Sequence, residues 1–217
     1  MDYSTLTLKL FIKKIENYEP AIVDIIKKFM TTYTFKSKEE LQEAVDMWYN
    51  KRKQAKTKYG HISYWNVSNI DDMSDLFHMK KYFNDDISKW DVSNVKNMDN
   101  MFSFASRFNQ CINDWDVSNV TNMDGMFADA PKYDQSLDKW DVSKVKTMQD
   151  MFYECYSFNQ DISVWNVSNV TNMETMFYNS ENFNQSLKEW NVSNVENTED
   201  MFIGANSMEE ENKPVFK

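Results

Sequence analysis

The chain has 217 residues, with 24 Lys+Arg against 34 Asp+Glu and a formal charge of −10 at pH 7. Aromatic residues make up 15% of it, too many for a disordered chain, and three glycines leave almost nothing for a Gly-rich phosphate loop. No run approaches the ~18 apolar residues of a membrane span, so no membrane partner is expected.

The opening stretch carries charges inside its apolar run and shows no small-residue cleavage site, which argues against a secretory signal and for a cytoplasmic protein. Within residues 1–34, Pro20 precedes Ile22, Val23, Ile25, Ile26, Phe29 and Met30, the pattern of a helix with proline in its first turn. Residues 4–12 fit a strand through Leu6, Leu8, Leu10 and Ile12, or a helix through Leu8, Ile12 and Ile15. This helical N-terminal extension reads either as part of a cap or as a separate docking module.

Ser37 followed by Glu40 forms a capping box, and Leu41, Ala44, Val45 and Trp48 make one apolar stripe. The pattern predicts an N-terminal capping helix in residues 35–60, running over about 38–58. Residues 1–60 hold 12 basic and 8 acidic residues, and residues 61–217 hold 12 and 26. The boundary near 60 is thus a change of charge, and the acidic remainder repels nucleic acid. The run Lys51-Arg52-Lys53 with Lys56 and Lys58 reads as a solvated helix end rather than a nucleic-acid patch.

From residue 61 to 207 the chain repeats. Tryptophan falls at 65, 90, 115, 140, 165 and 190, an unbroken period of 25. One unit places apolar residues at Ile87, Trp90, Val92, Val95, Met98, Met101, Phe102 and Phe108, and the next repeats them from Ile112 to Tyr133. Trp90 and Val92 have strand spacing, while Val95, Met98, Met101, Phe102 and Ala105 have helical spacing. The expected fold class is therefore an α/β repeat, a leucine-rich-repeat-like solenoid of about six coils. The pattern decays after Phe202, and residues 208–217, with Glu209-Glu210-Glu211, read as a frayed cap and solvated tail.

Units such as Trp115-Asp-Val-Ser-Asn-Val-Thr-Asn-Met123, followed by Met126-Phe127, resemble the BspA-like leucine-rich-repeat family over roughly residues 35–205. That family is known from bacterial surface proteins and from large DNA viruses. The resemblance implies binding rather than catalysis and gives no shared ligand. The absence of a secretion signal sets this chain apart from the surface-protein members.

Comparing the six units separates scaffold from candidate site. The columns Phe77, Phe102, Phe127, Phe152, Phe177, Phe202 and Leu76, Met101, Met126, Met151, Met176, Met201 read as core, each phenylalanine contributing roughly 1.5–3 kcal/mol. The serine column (Ser68, Ser93, Ser118, Ser143, Ser168, Ser193) reads as turn or cap residues. With only His61 and His78 as histidine bases, nucleophilic catalysis is not expected. The Asn109, Asn159 and Asn184 positions of the Phe-Asn-Gln units read as side-chain ladders between coils. Asp91, Asp116 and Asp141 form an acidic row, which hydrogen bonds to the following turn should offset; calcium is the minority reading, and no metal is assigned.

The position before each tryptophan varies freely: Tyr64, Lys89, Asp114, Lys139, Val164 and Glu189. With the adjoining Asp91, Asp116 and Asp141, this column is the candidate partner-binding strand face. Cys111 and Cys155 lie in different columns about two coils apart and are expected to be free thiols. The leading expectation is a non-catalytic module that binds a protein partner and needs no cofactor. The alternative is a structural or assembly component, such as part of a virus particle, acting through its ends or residues 1–34.

Overall fold

In a computed structural model, which describes residues 32–216, the 25-residue period becomes a stack of hydrogen-bonded coils. The elements expected before residue 32 lie outside the described residues. The six coils start at Ile62, Ile87, Ile112, Leu137, Ile162 and Leu187, each of them fully buried. Single parallel bridges join them in the order Asp72, Asn97, Asn122, Thr147, Asn172, Asn197.

Within a coil the backbone is a succession of tight turns. The Trp90 amide donates to the Ile87 carbonyl (3.0 Å) and the Val95 amide to the Val92 carbonyl (2.9 Å). Beyond Asn97 the amides alternate. Met101, Ser103 and Ala105 donate three residues back, while Met98, Asn100, Phe102 and Phe104 donate sideways to Asn122, Asp124, Met126 and Ala128 at 2.8–3.0 Å. A helix would send every amide four residues back, and a strand would send none to its own turn.

The expected α/β leucine-rich-repeat-like solenoid is therefore corrected. Among the described residues there are helices before the repeats and short 3₁₀ turns, but no strand and no sheet. The turns at Ile87–Trp90 and Val92–Val95 leave too little extended chain for a strand. Two residues per coil also hold positive φ, as at Asn100 (53°) and Phe104 (58°), which breaks any helix. The three-and-four spacing came from stacked turns, which share a helix's periodicity without its hydrogen bonds.

The core is a set of aromatic columns. Phe77, Phe102, Phe127, Phe152, Phe177 and Phe202 stack with centroids 5.3–5.7 Å apart. A second column runs through Phe83, Phe108, Tyr133, Phe158 and Phe183 at 5.7–6.3 Å. Every repeat tryptophan after Trp65 donates its indole N–H to the carbonyl that starts the preceding coil, from Trp90 on Ile62 to Trp190 on Ile162, at 2.9–3.2 Å. A buried indole N–H needs such an acceptor, so the period of 25 is held by polar as well as apolar contacts.

The two ends close differently. Helix α1 (Lys38–Asn50) starts at Ser37, whose side chain accepts the Glu40 amide, and buries Leu41, Ala44, Val45 and Trp48. Lys51 leaves helical geometry, so helix α2 (Arg52–Tyr59) is separate where one helix was expected. Trp48 Nε1 and the Arg52 guanidinium both donate to Asp85, pinning the cap to the first coil. At the far end the tail does not fray: Met208 and Pro214 are buried, and the Leu187 amide donates to the Asn212 carbonyl at 2.7 Å. Beside it, the amides of Thr198, Asp200, Phe202 and Gly204, whose counterparts each bond the next coil, find no acceptor among the described residues.

Candidate functional site

The structure leaves all six residues of the column before tryptophan exposed: Tyr64, Lys89, Asp114, Lys139, Val164 and Glu189. They sit in turns rather than on a strand face. Lys139 and Asp114 neutralise each other at 2.7 Å, and the apolar members Tyr64 and Val164 stand four coils apart. The column forms no continuous apolar surface.

Asp91, Asp116 and Asp141 are exposed, and each carboxylate accepts the amide of the serine two residues on, at 3.0–3.1 Å. Hydrogen bonding from Ser143 holds the Asp141 carboxyl below its ordinary range. Asn66, Asn166 and Asn191 accept in the same way in the other coils. The serine column is thus the donor of this turn rather than its acceptor. The Asn94, Asn119, Asn169 and Asn194 amides donate to serine carbonyls of the preceding coil at 2.7–2.8 Å. Asn84, Asn109, Asp134, Asn159 and Asn184 form a further ladder, each side-chain oxygen accepting a backbone amide 25 residues on at 2.9–3.1 Å. Among the described residues no three His, Cys, Asp or Glu side chains converge on a metal position.

Cys111 is an exposed free thiol, and Cys155 is a buried one whose Sγ–H donates to the Phe127 carbonyl. Burial pushes the Cys155 thiol far above its ordinary range, so it is inert as a nucleophile. An open recess of about 740 Å³ lies at the C-terminal end between Phe202, Ile203 and Val215. Its Lys213 is committed to Glu210 at 2.5 Å and to the Phe202 ring.

A different surface stands out: the corner that follows the alternating turns. Met79 is 66% exposed, Tyr82 60% and Phe104 43%. Arg107 lies over the Tyr82 ring at 4.8 Å with Lys81 at 5.7 Å, and the edge of His78 meets Phe104 at 5.7 Å. His78 Nδ1 is buried with no hydrogen-bond partner among the described residues. Apolar side chains beside cations that make no ion pair among the described residues form a two-coil patch.

The backbone under this patch is strained. Met79 and Phe104 hold φ of 59° and 58°, and the same position in later coils is Asp129, Glu154, Asn179 and Gly204, also at positive φ. Asp, Asn and Gly suit that conformation, whereas a bulky side chain there costs roughly 1–2 kcal/mol. Folding alone would favour Asn or Gly at 79 and 104. In coils 3 and 4 the corner turns acidic. Burial raises the Asp129 carboxyl to about 6, with the neighbouring Glu154 charge as second cause.

Sequence reading misses this corner because the column through Met79 and Phe104 has no shared residue to mark it. The signal lies in the column itself: Asp, Asn and Gly among Met, Phe, Asp, Glu, Asn and Gly mark a left-handed position, and Met79 and Phe104 are its apolar exceptions.

The architecture defines a repeat protein whose coils are joined by alternating turns and bridges, with a variable corner on a uniform core. The chain belongs to the family described as "Mycoplasma protein of unknown function, DUF285", matching it over residues 41–146 and again over 112–214. No curated protein and no solved structure matches it. Among the described residues no helix is long and apolar enough to cross a membrane.

Proposed function

We propose that the protein is a non-catalytic binding module that docks a protein partner on the corner of coils 1 and 2. The observation that carries this is the pair Met79 and Phe104, exposed apolar side chains held at positive φ where other coils have Asp, Glu, Asn and Gly. Positions that break a local rule without repaying it in packing are where function is expected. Tyr82 and Arg107 add an aromatic and a guanidinium, the side chains that most often dominate protein interfaces.

The BspA-like resemblance of the units supports binding over catalysis. Two free thiols, one of them exposed, support work in a reducing compartment, the cytoplasm. The serines that invited a nucleophile reading are engaged in turns, with Ser93 Oγ itself donating to Asp91 at 2.6 Å.

The test is affinity capture from the source cell with wild type, with Tyr82→Ala/Phe104→Asn, and with Val164→Asp as a distant surface control. The expected result is loss of the captured proteins by the first variant and their retention by the control. Equal capture by all three contradicts the assignment.

A further inference from the structure

The corner also has a direction. Its cations fall in coils 1, 2 and 3 as Lys81, Arg107 and Lys132, and its acids fall in coils 3, 4 and 5 as Asp129, Glu154 and Glu181. Among the described residues none of the three cations makes an ion pair. The acids are likewise without a cation: Glu154 accepts from Tyr156 Oη at 2.8 Å and lies beside Asp129, whose carboxyl is raised to about 6 by burial first and by Glu154's charge second and is still largely ionised at pH 7. Four large apolar side chains left exposed, Met79, Tyr82, Phe104 and Tyr156, stand on this strip.

We infer that the corner strip is a self-complementary interface that binds a second copy of this chain in antiparallel orientation, about a two-fold axis through coil 3. The inference rests on the reading of this corner as a docking surface and names its occupant. Coils repeat every ~4.8 Å, so cations and acids on two antiparallel strips come into register without deformation. Coil 1 then faces coil 5, coil 2 faces coil 4 and coil 3 faces its own counterpart. The register pairs Lys81 with Glu181, Arg107 with Glu154 and Lys132 with Asp129, each twice by symmetry. The same operation brings Tyr82 and Phe104 toward Tyr156.

A parallel pairing would set Arg107 on Arg107 and Glu154 on Glu154, and is excluded by like charge. Association through the C-terminal ends would oppose the unpaired Thr198, Asp200, Phe202 and Gly204 amides to one another, donor against donor. At the other end, α1 covers the first coil, where Gln42 Nε2 donates to the Leu76 carbonyl at 3.2 Å. The strip is one side chain wide and roughly 20–25 Å long, which places the dimer in the small, reversible class of interfaces.

Sedimentation velocity on the full chain at low salt, from about 1 to 200 µM, tests this through a pair of charge reversals. The wild type is expected to move from monomer to dimer across that range, and to shift back toward monomer as salt rises. Arg107→Glu alone and Glu154→Arg alone each oppose like charges twice, and each is expected to weaken the dimer by tenfold or more. Mixed in equal amounts, the two variants restore both pairs, so a heterodimer of wild-type affinity is expected. Circular dichroism is the check that both variants fold. A wild type that stays monomeric throughout, or variants that fail to heal each other, overturns the antiparallel dimer. If that happens while Tyr82→Ala/Phe104→Asn still loses captured proteins, the corner binds something other than a second copy. If capture too is unchanged, the docking surface itself is refuted.

Discussion

The aromatic columns and the corner of the same coils follow opposite rules. At the position of Phe77 every coil has phenylalanine; two residues further along, at the Met79 position, no two coils share a residue. Both positions belong to one run of turns, and in coils 1 to 5 both donate their amides to the next coil, but only the outer one holds positive φ. The inner column is fixed by stacking at 5.3–5.7 Å. The outer one is released from packing and constrained by its positive φ, which Asp129, Asn179 and Gly204 suit and Met79, Phe104 and Glu154 do not.

The largest effect should come from breaking the inner column. Phe127 lies mid-stack with no exposure, and Phe127→Ala should cost roughly 3–5 kcal/mol by urea unfolding. Tyr82→Ala on the corner should stay within about 0.5 kcal/mol of wild type. A similar loss at both sites would erase the distinction between scaffold and surface.

Tyr133 sharpens the comparison from inside. Its Oη is buried with no partner among the described residues, and burial raises its pKa well above the ordinary phenol value. Phe83, Phe108, Phe158 and Phe183 fill the same position in neighbouring coils. Tyr133→Phe should therefore stabilise the protein by about 1–2 kcal/mol, read as a rise in unfolding midpoint at unchanged slope. Met79→Asn, which puts a residue suited to positive φ where methionine is strained, should stabilise by about 1 kcal/mol in the same assay.

How much of this could be read from the sequence depends on the kind of signal. The core columns were legible because a strict period of 25 repeats the same side chains, and burial follows side-chain type. The turn bonds of Asp91, Asp116 and Asp141 were legible because an Asp two residues before a serine has a local acceptor geometry. The backbone was not. Helical spacing in Val95, Met98, Met101 and Phe102 records which side chains face inward, and says nothing about whether the Phe102 amide bonds its own turn or the next coil. The docking corner was hidden for a related reason, since its meaning depends on φ at Met79 and Phe104.

The smallest expected effect is the pH dependence. Burial raises the Asp129 carboxyl to about 6 and also raises Asp99 and Asp124, so the folded chain binds these protons more tightly than the unfolded one. Their ionisation weakens the fold at pH 7, and stability should rise as pH falls through 6 toward 4. Asp141, Asp72 and Glu40 are held below their ordinary values, so their contribution is lost in stronger acid. A stability maximum near about pH 5 follows, with Asp129 adding no more than about 1 kcal/mol after solvent screening. In Asp129→Asn the gain between pH 7 and 5 should shrink, as followed by thermal unfolding at each pH.

The central claim is that Met79 and Phe104 are kept for binding at the expense of folding. The most direct test measures both in one variant, Met79→Asn/Phe104→Asn, by thermal unfolding and by sedimentation at matched concentration. A melting temperature a few degrees higher, together with loss of self-association and of captured proteins, is the predicted result. A lower melting temperature with binding intact would show that the two side chains serve the fold, and would contradict the account.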